Sequence, residues 1–284
     1  MPSFTNQATL SYRGNVTISN IVTGELVAVL SATKTALSER YGADDILTYV
    51  ISIVNSGPAP YTGLTMTDDL GAYTYGTGTL TPLTYVDGSL RYFVNGVLQA
   101  TPTPTADAPL TVPGIAVPAG GNALLIYETR VNSFAPLDTE STVTNTATLS
   151  GAGLTTPVQA ASTVNARAAA YLTIGKAVSP ATVAENGTLT YTFTIQNYGN
   201  TAAAEADNVT VSDTFSPILK AISVTYNGVA WTEGTQYTYN AATGAFATTA
   251  GQITVPAASL TRDAATGAVV VTPGISTLTV TGTV

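Results

Sequence analysis

The 284-residue chain contains no cysteine and no histidine, and only 9% of it is charged. Without cysteine there is no disulfide and no thiol chemistry. Without histidine the commonest general base and a common metal ligand are missing. A net charge of −8 argues against nucleic-acid partners, whose phosphates need clustered Lys and Arg. No apolar run reaches the about 18 residues of a membrane-spanning helix. No stretch keeps a 3.6-residue amphipathic period, so few or no helices are expected. Met1-Pro2-Ser3-Phe4 lacks the charged and apolar regions of a secretory leader. Neither Asp44-Asp45 nor Asp68-Asp69 has calcium-loop spacing, so no metal and no cofactor is expected. No nucleotide loop, hydrolase elbow or nucleophile–His pair is present, and the chain is not expected to be an enzyme.

What is present is Thr, Val, Ala, Gly and Tyr in short alternating runs, the composition of β-strands. The runs occur twice. Leu47 to Gly57 matches Leu189 to Gly199, and Ala32-Thr33-Lys34-Thr35-Ala36 matches Ile174-Gly175-Lys176-Ala177-Val178, both at an offset of 176 − 34 = 142. Leu64 to Asp68 matches Val209 to Asp213, and Gly121 to Val131 matches Gly274 to Val284. Asn95-Gly96 and Asn227-Gly228 each mark a hairpin turn. The expectation is an all-β chain of two tandem β-sandwiches, residues 26–165 and 166–284, behind a leading segment 1–25.

The two units are not equal. After Val131 the first continues to Val143-Thr144-Asn145-Thr146-Ala147-Thr148-Leu149-Ser150, which has no counterpart after Val284. A similar stretch, Phe4-Thr5-Asn6-Gln7-Ala8-Thr9-Leu10-Ser11, stands in the leading segment, 145 − 6 = 139 positions earlier. The second sandwich is therefore expected to lack its final strand and to receive one from the leading strand, or hairpin, of another copy. Strand addition satisfies an open sheet edge with ladder hydrogen bonds. Head-to-tail addition of this kind gives filaments.

Alternation along strands assigns faces. Leu30, Ala32, Lys34 and Ala36 share one; Leu64, Met66, Asp68 and Leu70 another; Val143, Asn145, Ala147 and Leu149 a third. Leu172, Ile174, Lys176 and Val178 repeat the first, Val209, Val211, Asp213 and Phe215 the second, and Phe4, Asn6, Ala8 and Leu10 the third. Six polar side chains are thus expected to point into cores, where lysine and aspartate are rare unless paired. Burial favours a neutral lysine and a protonated carboxyl. A neutral amine can attack a carboxamide, and a carboxyl can shuttle the protons. The product is a Lys–Asn isopeptide bond and ammonia. The alternative is a buried Lys–Asp ion pair with a hydrogen-bonded asparagine and no covalent product. Glu128 faces outward by the same alternation and is set aside as the acid.

Ala32-Thr33-Lys34-Thr35, Met66-Thr67-Asp68 and Val143-Thr144-Asn145-Thr146-Ala147-Thr148 resemble the repeated β-sandwiches of bacterial and archaeal surface proteins known as domain of unknown function eleven. The order lysine, aspartate, asparagine is also similar to isopeptide-containing Ig-like domains of Gram-positive adhesins and pilins. The resemblance implies an Ig-like fold, a cell-surface role and an autocatalytic cross-link. It makes Lys34 the nucleophile, Asp68 the assisting acid and Asn145 the acceptor. In the second unit Lys176 and Asp213 match, and only Asn6 has the acceptor's context. The expected protein is a subunit of an extracellular, self-assembling fibre or pilus, with an intramolecular Lys34–Asn145 bond and an intermolecular Lys176–Asn6 bond. Phe4, Ala8 and Leu10 would anchor the donated strand, and the partner is another copy. With no leader visible, a cell or spore surface reached by cell lysis or a non-Sec route is expected. The rival reading is a monomeric surface adhesin or carbohydrate-binding module closed within one chain.

Overall fold

The computed structural model describes residues 3–25, 27–151 and 153–284. Met1, Pro2, Leu26 and Ala152 lie outside them, and with them the start of the leading segment and the expected first residue of the first sandwich. Among the described residues the chain is all-β, apart from one 3-10 turn at Glu205–Asp207. It divides into two compact units. The first holds residues up to Glu39, Asp45–Val131 and Thr144–Val164; the second holds Arg40–Asp44, Asn132–Val143 and Asn165–Val284.

The leading segment forms β1 (Ser3–Asn6), β2 (Thr9–Tyr12), β3 (Asn15–Ile18) and β4 (Val22–Glu25). β1 pairs with β4 and β2 with β3, so the segment is a hairpin. It turns at Arg13-Gly14, where both residues have positive φ, the geometry of a type I′ turn that favours glycine. The pairing slips by one residue midway: Asn6 faces Val22, but Thr9 faces Ile18. At the slip the Ser19 hydroxyl takes the Ala8 N–H at 2.9 Å. This breaks the single strand expected over Phe4–Ser11 into two.

The first sandwich is built from β5 (Leu30–Ala36), β6 (Ile46–Asn55), β7 (Tyr61–Asp68), β8 (Arg91–Val94), β9 (Val97–Leu98), β10 (Leu110–Val117), β11 (Asn122–Val131), β12 (Thr142–Ser150) and β13 (Val158–Ala166). One sheet runs β9–β8–β11–β6–β5 and the other contains the path β10–β7–β12–β13. Alternation sets the inner faces: Leu47, Tyr49, Ile51 and Ile53 of β6 are buried, as are Leu64 and Met66 of β7. The sheets are joined across the core by Tyr92, whose hydroxyl donates to Ala116 O at 2.7 Å.

The second unit repeats the first sheet with β14 (Leu172–Ser179), β15 (Thr188–Asn197), β17 (Lys220–Tyr226), β18 (Val229–Trp231) and β21 (Gly274–Thr283), in the order β14–β15–β21–β17–β18. The facing sheet is shorter: β16 (Ser212–Thr214), β20 (Ala245–Thr248) and β19 (Tyr237–Asn240), with β16 at its edge. The core gathers Leu189, Phe193, Phe215, Phe246, Leu278 and Val280 among others. Both Asn-Gly pairs turn where expected, with φ of 49° and 79° at Asn95-Gly96 and 49° and 80° at Asn227-Gly228.

Candidate functional site

In the first unit three strands from two sheets bring three polar side chains into one apolar core. Lys34 enters from β5, at the edge of its sheet, and Asp68 closes β7 in the sheet opposite. Asn145 enters from β12, whose Ala147 lies directly across from Asp68. Asn145 therefore stands diagonally beside the acid on the same face. All three residues are buried, and both members of the Lys34–Asp68 pair have side chains at 0% exposure. The Lys34 Nζ donates to Asp68 Oδ2 at 2.5 Å.

Two tyrosines complete the site. Tyr127 of β11 donates its hydroxyl to the same Asp68 Oδ2. Tyr49 of β6 stacks on Tyr127 with ring centroids 5.8 Å apart, and the Lys34 Nζ lies 4.8 Å from the Tyr49 centroid and 5.9 Å from that of Tyr127. The other Asp68 oxygen accepts from Leu70 N at 3.0 Å. Burial in this apolar shell pushes the Lys34 pKa below its ordinary value, against the pull of Asp68 and Asp69. Burial also pushes the Tyr127 pKa well up, and the Asp68 charge adds to that. The lysine is thus moved towards the neutral amine that attacks carbonyls.

Asn145 is an exception to the rule that buried polar groups find partners. Neither its Nδ2 nor its Oδ1 completes a hydrogen bond, although the amide acts weakly on the Tyr127 hydroxyl. Two other fully buried asparagines show the ordinary arrangement. Asn55 Nδ2 donates to Ala59 O at 2.8 Å and Pro118 O at 2.9 Å, and its Oδ1 accepts from Gly57 N at 3.0 Å. Asn197 repeats this with Thr201 O, Pro256 O, Gly199 N and Tyr171 N. Those two tie down loops. Asn145 ties down nothing and stands beside a lysine and a carboxylate.

The second unit holds half of the same site. Lys176 of β14 pairs with Asp213 of β16, their side chains 41% and 18% exposed. The expected burial of Lys176 is not reached. Alternation places it on the inward face, but in the first unit β12 flanks the acid strand, and among the described residues no strand pairs the free edge of β16. Lys176 instead lies over three rings, 4.6 Å from Tyr191 and 5.6 Å from Phe193 and Phe215. Asn6, Phe4, Ala8 and Leu10 are exposed on their hairpin. The Phe4 ring lies across Gly24, leaving no room there for a Cβ.

Tyr127 is a site residue that the motifs do not single out. The alternation that turns the neighbouring Glu128 outward sends Tyr127 inward, opposite Tyr49 in the ladder.

No protein-family model matches the chain, the surface-repeat family it resembles included, and no curated protein matches it. Solved structures do. The pilus backbone RrgB of Streptococcus pneumoniae superposes at a TM-score of 0.35 and 10% identity, covering 87% of this chain and 55% of that one. The major pilin subunit of Bacillus cereus gives 0.35 and 10%, over 85% of this chain and 63% of that one. A family 123 glycoside hydrolase of Clostridium perfringens gives 0.32 and 8%, over 49% and 27%. The chain thus spans under two thirds of each of these proteins. At such scores none of them says what this chain does.

Proposed function

We propose that this chain is a structural subunit of an extracellular fibre, polymerising head-to-tail and locked by two lysine–asparagine bonds. The observation that carries this is Asn145, a buried carboxamide without hydrogen bonds beside a buried lysine and acid. Lys34 Nζ passes a proton to Asp68 and attacks Asn145 Cγ. The new C–N bond replaces the one to Nδ2, which leaves as ammonia. The amide formed carries no charge, which removes the cost of a buried ammonium. The fold supplies the proximity.

The intermolecular bond rests on the same chemistry at Lys176 and Asp213. The β1–β4 hairpin of another copy supplies the flanking strand. It carries Asn6 in the sequence context of Asn145, its Phe4 and Leu10 are exposed, and β1 already has β4 on one edge as β12 has β13. Among the described residues no strand pairs the other edge of β1, which would take β16. Filling the site buries Lys176 and Asp213 and turns a half-exposed pair into the closed arrangement of the first unit.

Boiled protein on a denaturing gel, followed by intact mass and peptide mapping, tests both bonds. A ladder containing an Asn6 peptide joined to a Lys176 peptide, less one ammonia, is expected. A monomer that has lost one ammonia would leave only the Lys34–Asn145 bond and favour a monomeric surface module. A monomer at full calculated mass would sink both bonds.

A further inference from the structure

One difference between the two sites is an exchange of ring-bearing side chains. In the first unit the ladder pairs Tyr49 with Tyr127, and the residue two beyond the acid is Leu70. In the second unit the matching ladder pair is Tyr191 with Val280, and the residue two beyond the acid is Phe215. Phe215 stacks on Tyr191 at 4.9 Å, taking the place in the core that Tyr127 takes beside Tyr49 at 5.8 Å. The ring stacked on the ladder tyrosine has moved from one sheet to the other. The hydroxyl is not kept. Asp68 Oδ2 accepts from Tyr127, whereas Asp213 Oδ2, close against Lys176, accepts no hydrogen bond. If the aromatic ring were wanted only for packing, either arrangement would serve.

We propose that the Tyr127 hydroxyl is the proton relay of the first site, linking Asp68 to the Asn145 amide nitrogen, and that the second site, built without it, closes more slowly. The inference rests on the cross-link reading above. Its steps balance. Lys34 gives one proton to Asp68 and attacks as the neutral amine. Tyr127 Oη then hands its proton to Nδ2 and takes the one Asp68 holds, so the leaving group departs as ammonia and the phenol is restored. Asp68, again a carboxylate, removes the remaining surplus proton from Nζ as the amide forms. Tyr127 is poised for this because its hydroxyl already touches the oxygen that holds the lysine. The burial that keeps a phenol protonated serves a donor, not a phenolate base. A slow second site suits its position, because its asparagine arrives only with another copy.

The full chain is made by cell-free synthesis and sampled over time by intact mass. Tyr127→Phe keeps the ring and loses the hydroxyl. Ammonia loss at Lys34–Asn145 is expected to slow by about a hundredfold, the lower range for a lost proton-transfer group, while the product, once formed, has the unchanged mass. A Tyr127→Phe chain that closes as fast as the natural one overturns the relay and leaves the cross-link standing. A natural chain that keeps its ammonia overturns the relay together with the reading beneath it. The transplant Phe215→Leu with Val280→Tyr covers the case in which Tyr127→Phe misfolds. It is mixed as acceptor, with Asn6→Ala, against a donor chain carrying Lys176→Ala, so that one joint forms. Boil-resistant dimer is expected at least about tenfold sooner than with the untransplanted acceptor. Packing alone would not carry a rate gain to the other unit, so an unchanged rate overturns the relay.

Discussion

Asn145→Ala separates a covalent site from an ion pair by the sign of its effect. If no bond forms, the natural protein carries a buried amide with both ends unpaired, an arrangement costing about 1–3 kcal/mol. Truncating it relieves that cost, and stability holds or rises. If the bond forms, truncation removes a covalent closure of 145 − 34 = 111 residues. The loop-entropy relation used for disulfides gives about 4.8 kcal/mol at 25 °C for a loop of that length. The first sandwich, residues 26–165, unfolds with about 2.1 cal/mol/K per residue. Over 165 − 26 + 1 = 140 residues the loss then corresponds to a fall in melting temperature of about 16 °C. Calorimetry of the two proteins, with intact mass on the same samples, reads both quantities. An unchanged or raised melting temperature, with no ammonia missing from the natural protein, would refute the reasoning.

Other outcomes follow from the same geometry. Asn6→Ala is expected to leave filaments visible by electron microscopy while boiling returns them to monomers; persistence of the ladder would exclude Asn6 as the acceptor. Phe4→Ala removes a ring that is 50% exposed in the single chain and that contributes roughly 1.5–3 kcal/mol if fully buried in a neighbour. Filaments should then dissociate at higher protein concentration in a light-scattering dilution series, and an unchanged midpoint would count against the anchor. Asn55→Ala takes one hydrogen-bond partner from Gly57 N and from the Ala59 and Pro118 carbonyls, which should cost about 1–3 kcal/mol in denaturant without changing the ammonia count. The Lys34 pKa, lowered by burial from its ordinary 10.5, predicts a pH slope in the Asn145→Ala protein. Between the lowered value and 10.5 the unfolded chain binds more protons than the folded one, so folding stability should rise with pH across that window. Denaturant midpoints that fall with pH there would contradict it.

The all-β class was legible because nothing in the chain competes with it: the apolar residues alternate, and two Asn-Gly pairs mark hairpins that the structure shows. The shared inward faces of Lys34, Asp68 and Asn145 were legible for the same reason, since period two assigns a side without needing to know the partner strand. What alternation does not carry is cover. Lys176 has the right parity and is nevertheless 41% exposed, because burial depends on the facing sheet and not on the strand that bears the residue. The slip at Ala8 and Ser19 was hidden too, since it depends on a side chain on the opposite strand. Tyr127 was hidden in plain view: it matches Val280 in the repeat, and an exchange of a hydroxyl-bearing ring for valine is the kind of mismatch that marks divergent chemistry.

Lys34 and Asn145 lie near opposite ends of the first sandwich's sequence, and that placement has a mechanical consequence. With the proposed Lys34–Asn145 amide formed, tension entering along the chain at β5 would pass through it to β12 and leave the residues between them unloaded. At about 3.4 Å per residue, 145 − 34 = 111 residues amount to about 380 Å of chain that pulling could not then draw out. A fibre of such units would stretch only through what lies outside its loops, and single-molecule extension traces of the first unit should lack the long step that unravelling a sandwich otherwise gives.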